Sequence, residues 1–80
     1  GDVGAEELLM RRERASLLDG ALQSLPRELR ETFILLAAEE MTSRDAAEIL
    51  GIPESSVRNR LFRARKQIKE KLAVLLGKRS

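Results

Sequence analysis

Cysteine and histidine are both missing from this 80-residue chain. Their absence excludes disulfide staples, thiol nucleophiles, imidazole general bases and the zinc sites built on those two side chains. A chain without cysteine fits a reducing compartment such as the cytosol. Tyrosine and tryptophan are missing too, so Phe33 and Phe62 are the only aromatic rings. No apolar run approaches the roughly 18 residues that a membrane-spanning helix needs, and no secretory leader pattern opens the chain. Nothing resembles a convergent acid, base and nucleophile set, so catalysis is not expected. No metal or cofactor motif is recognisable.

What remains is 42% hydrophobic and 35% charged, the balance of one small soluble domain with a modest core. Gly1-Asp2-Val3-Gly4 reads as the tail of a linker, which suggests a piece of a longer protein. The net charge of +2 hides an asymmetry: residues 1–40 sum to −4 and residues 41–80 to +6. An acidic front and a basic back are expected where one face meets a polyanion.

Apolar spacing divides the chain into four helices. From about Ala5 to Ser24, Leu8, Ala15, Leu18 and Leu22 share one face with Leu25 close behind, predicting a packing helix. Glu6 and Glu7 suit its first turn, and Gly20 marks a place to bend or end. Pro26 restarts the chain, and Leu29, Phe33, Leu36 and Ala37 predict a second helix to Glu39 or Glu40. Glu28 and Glu31 are read as facing solvent, with helix pairs to Arg27 or Arg30. Thr42 and Asp45 form a capping-box-like start for a third helix. Its inner face is Ala46, Ala47 and Leu50, and Gly51 is placed for a left-handed stop.

Pro53 then opens the stretch on which the chain is centred. Val57, Leu61, Ala64, Ile68, Leu72 and Leu75 recur in steps of three and four, a single buried stripe. Opposite lie Ser55, Asn59, Phe62 and Lys66, with Arg58 and Arg63 at the flanks. Seven basic residues and one acid, Glu70, fall between Arg58 and Lys71. The short helix, the glycine turn and this long helix are spaced as a helix-turn-helix, with Ala47, Gly51 and Val57 as small residue, turn residue and core anchor. Arginine pairs bidentately with guanine and asparagine with adenine, and a ring can rest on a thymine methyl. The outer face therefore suits DNA recognition. Arg60 and Arg65 lie nearer the seam and are expected to meet acids of the second helix or backbone phosphates.

The run L-P-R-E-L-R-E-T-F-I-L-L, followed by T-S-R-D-A-A-E-I-L-G-I-P-E-S-S-V-R-N-R-L-F-R-A-R, resembles region 4 of bacterial sigma-70-family sigma factors, the extracytoplasmic-function group above all. The resemblance covers about Leu22 to Leu72. It implies an all-α, four-helix domain with a helix-turn-helix, in which residues 1–21 are a linker tail and first packing helix and residues 22–80 the DNA-binding unit. It implies binding to the minus-35 promoter element, contact with the β flap of RNA polymerase, cover by an anti-sigma factor, and a bacterial cytoplasmic location. By position, Arg58, Asn59, Phe62 and Arg63 correspond to base contacts. Ser55, Ser56, Arg44 and Lys66 correspond to phosphate contacts. The family often has an aromatic at Ser43, an acid at Arg44, a larger aliphatic at Ala46, a turn glycine at Glu40 and serine at Asn59. These departures point to altered base or phosphate preference and to a second helix that runs further.

Two other readings share the motif. One is a response-regulator-type output domain, which fits the Leu-Pro and R-A-R elements less well. The other is a sigma-like module whose task is a protein interface, for which Leu72, Val74, Leu75 and Leu76 are available.

Overall fold

The computed structural model describes residues 4–77. Gly1, Asp2 and Val3 of the expected linker tail lie outside them. Four helices follow in order: α1 (Ala5–Gln23), α2 (Arg27–Ala37), α3 (Ser43–Leu50) and α4 (Glu54–Gly77). No strand occurs among the described residues. α4 packs against each of the other three, and α2 also meets α3.

The core is small. Ala21, Leu25, Leu29, Ala64 and Ile68 form its buried cluster, with Leu22, Phe33 and Leu72 packed against it. Val57 and Ala46, both fully buried, close the contact of α3 with α4. The α4 stripe follows the expected period: Val57, Ala64 and Ile68 are buried, and Leu61, Leu72 and Leu75 half-buried. Alanines at 21, 46 and 64 let the helix backbones approach closely.

The caps of α3 follow local chemistry. The Thr42 hydroxyl accepts from the Asp45 backbone N–H at 3.1 Å, satisfying one orphan donor of the first turn. Gly51 ends α3 at φ 68°, and its N–H and that of Ile52 both return to the Ala47 carbonyl. Pro26 caps α2 and Pro53 directly precedes α4, so each helix starts one residue after the proline expected to open it.

α1 departs from expectation. Leu8, Ala15 and Leu18 do not pack: Leu8 is 49% exposed, and Leu9 and Met10 are exposed beside it. Only Ala21, Leu22 and the following Leu25 reach the core. The helix does not end at Gly20, where an added β-carbon would meet Leu75 Cδ1 near the end of α4. The first dozen residues of α1, 5–16, are all exposed and form an arm. The radius of gyration is accordingly 15.1 Å, against about 12 Å for a compact chain of this size.

α2 is also shorter than expected. It ends at Ala37, not Glu39 or Glu40. Ala37, assigned to the core stripe, is exposed. Glu40 takes the left-handed conformation, φ 55°, that a glycine would adopt without strain. The turn is held by the Met41 N–H bonding to the Leu35 carbonyl at 3.0 Å.

Candidate nucleic-acid interface

The first half of α4 projects its polar side away from the domain. Its seat is Val57, fully buried, with half-buried Leu61 one turn on. A helix fixed along that line must turn residues 58, 59, 62, 63 and 66 outward. All five are exposed, and Phe62 is 69% exposed. That exposure sets aside a rim-packing role for the ring. Ser55 is exposed and Ser56 half-buried in the opening turn of α4, and Arg44 is exposed on α3. Each sequence-expected contact residue thus stands on α3 or the N-terminal two-thirds of α4.

Charge on this face is partly engaged. Arg58 Nη1 donates to Glu54 Oε1 at 3.0 Å, one turn back along the helix. Such exposed pairs contribute only a few tenths of a kcal/mol, so a phosphate or a guanine edge can displace Glu54. Arg60 is turned to the seam and faces Glu28 of α2 at 3.8 Å, matching the expectation of an acid on the second helix. Arg27 pairs instead with Glu31, at 2.7 Å. Between α2 and the start of α4 lies a shallow cleft lined by Glu28, Ile52, Ser55, Ser56, Asn59, Arg60 and Arg63.

Two features escaped sequence reasoning. Thr32 is fully buried, its hydroxyl donating to the Glu28 carbonyl at 2.8 Å. Its place three residues after Leu29, on the α2 stripe, was the available signal. A second groove, between α2 and α3, is lined by Ile34, Leu35, Ile49, Leu50 and Glu31. Ile49 is 58% exposed there. Ile34 and Ile49 lie off the inner faces of their own helices, so only the packing of α2 on α3 brings them together.

A short capped helix, a left-handed glycine turn and a long helix with a cationic outer side define a helix-turn-helix domain. The family model for sigma-70, region 4 matches residues 15–68, and the chain belongs to that family. It is 31% identical to the ECF RNA polymerase sigma-E factor of Haemophilus influenzae over 71 residues, 89% of this chain and 38% of that protein. It is 34% identical to the RNA polymerase sigma-H factor of Pseudomonas aeruginosa, over 89% of this chain and 37% of that protein. The ECF RNA polymerase sigma-E factor of Escherichia coli K12 is 31% identical over the same shares, 89% and 37%. The chain therefore spans less than two-fifths of the length of these curated relatives. This membership leaves the response-regulator-type reading without support. Among the described residues, no helix is long and apolar enough to cross a membrane.

Proposed function

We propose that this domain reads the minus-35 element of promoters as the region-4 part of an extracytoplasmic-function sigma factor, in the bacterial cytoplasm. One observation carries the reading: Arg58, Asn59, Phe62 and Arg63 are exposed together on the side of α4 opposite buried Val57 and Ala64. Arg58 and Arg63 are assigned to guanine edges, Asn59 to adenine and Phe62 to a thymine methyl. Arg44, Ser55, Ser56 and Lys66 are assigned to phosphates, which fix register without reading sequence. The mechanism is binding, without catalysis, metal or cofactor. Residues 22–80 are the DNA-binding unit in this reading, and residues 1–21 a linker tail and first packing helix.

The apolar groove of Ile34, Leu35, Ile49 and Leu50 suits the apolar face of a partner helix. The occupant in this reading is the β flap of RNA polymerase, with an anti-sigma factor as the second candidate partner of the domain. The groove lies between α2 and α3, whereas most of the proposed base-reading face lies on α4, so one domain can engage both partners.

Selection from a randomised duplex library at fixed salt tests the DNA reading. The wild-type chain selects a sequence. Arg58→Ala and Arg63→Ala relax the preference at individual positions by about 1–3 kcal/mol each. Lys66→Ala weakens all duplexes about equally. A wild-type chain that selects nothing and binds only an added protein partner leaves the protein-interface reading standing in its place.

A further inference from the structure

Resting on that reading, the α2–α4 cleft holds an unexpected group. Ser55, Ser56, Asn59 and Arg63, four of its seven lining residues, are the proposed DNA contacts, so a duplex on α4 covers the cleft. Glu28 is the one carboxylate in its lining. Its side chain is 76% exposed, whereas that of Arg60 is 23% exposed, and the two stand 3.8 Å apart. That distance exceeds a hydrogen bond. Arg58–Glu54 at 3.0 Å and Arg27–Glu31 at 2.7 Å do meet the criterion. The Arg60–Glu28 pair is a loose one, and a phosphate oxygen is a better partner for a guanidinium.

We propose that Glu28 is an electrostatic gate on DNA binding. In the free domain it holds Arg60 back at the seam. When a duplex arrives, Arg60 exchanges Glu28 for a backbone phosphate, and Glu28 is left facing the polyanion. The gate weakens binding to every duplex alike, because it acts on phosphate and not on a base edge. Its effect is to make the lone domain release any duplex more readily.

Equilibrium binding of the 80-residue chain to a library-selected duplex and to an unrelated duplex, over a series of salt concentrations, tests this. Glu28→Gln tightens both by the same factor, roughly threefold to tenfold at low salt, and the factor shrinks as added salt screens the carboxylate. In an Arg60→Gln background, which keeps most of the packing stem, the gain is clearly smaller, keeping only the part due to Glu28 facing the polyanion. Glu39→Gln, an equal change of charge at an exposed residue that lines neither groove, leaves both affinities unchanged, and circular dichroism melts confirm that each variant is folded. An unchanged or weaker Glu28→Gln overturns the gate. So does a gain that persists undiminished without Arg60, because Glu28 would then act as a general charge. A wild-type chain that binds neither duplex removes the proposed function and the gate together. Wild-type binding with a silent Glu28→Gln removes only the gate.

Discussion

Glu40, Gly51 and Gly20 show how one backbone position sets a substitution's sign. Glu40 holds φ 55°, where a β-carbon costs about 1–2 kcal/mol. Part of that is returned by the lower chain entropy of a non-glycine in the unfolded state. Glu40→Gly is therefore expected to stabilise the domain by about 0.5–1 kcal/mol, read as a rise in Tm of several degrees. Gly51 at φ 68° has open space around its missing β-carbon. Gly51→Ala thus loses about 1 kcal/mol through backbone strain alone. Gly20 is the opposite case: an added β-carbon meets Leu75 Cδ1 at 3.6 Å, an ordinary contact. Gly20→Ala gains about 0.5–1 kcal/mol of helix propensity, and thermal melts of the three variants check the signs together. A loss at Gly20→Ala would mean that α1 and α4 pack more tightly than the structure shows.

At the scale of the element, α1 and α4 are contrasting helices. The first dozen residues of α1 touch little, and Leu8, Leu9 and Met10 remain exposed. A helical segment of that length without a partner is marginal in water. Its amides are expected to exchange with solvent far faster than those of α4 in hydrogen-exchange measurements, and deleting residues 1–12 should leave Tm within about 2 °C of the full chain. A large drop would show that the arm is covered after all. α4, by contrast, is seated along its length by Val57, Ala64 and Ile68. Ala64→Leu overfills the space where α4 meets the core cluster, at a cost of about 1–3 kcal/mol. Because Ala64 faces away from the proposed DNA side, DNA affinity corrected for the folded fraction should not change.

For the whole molecule, charge separation counts for more than net charge. The +6 of residues 41–80 and the −4 of residues 1–40 leave a cationic side on a nearly neutral domain. About three neutralised phosphates give a log–log salt slope near −3, so affinity falls roughly tenfold to thirtyfold over about a threefold rise in salt. Fluorescence anisotropy across a salt series measures this, and a flat profile rules out a phosphate-led interface. In the proposed reading, a domain this small binds weakly alone. Linkage to a second DNA-binding unit or to polymerase raises its effective concentration without any new contact.

The four helices, the Thr42 cap, the Gly51 stop and the outward set on α4 were all legible from residue order. Each depends on neighbours within about a turn, and the 100° rotation per residue carries the face assignment along a helix. Burial was legible for α4 but not for α1, because a stripe shows only where a partner could lie. Leu8 and Leu22 carry the same pattern, yet Leu22 packs on the core and Leu8 meets solvent. Which acid of α2 meets Arg60, and the apolar groove between α2 and α3, likewise depend on residues distant in sequence. The sequence by itself determined which helices form and which of their sides are cationic, since both follow from local geometry. The tertiary structure alone decided which apolar residues are covered and which charges confront each other, since both depend on how the helices pack across the core.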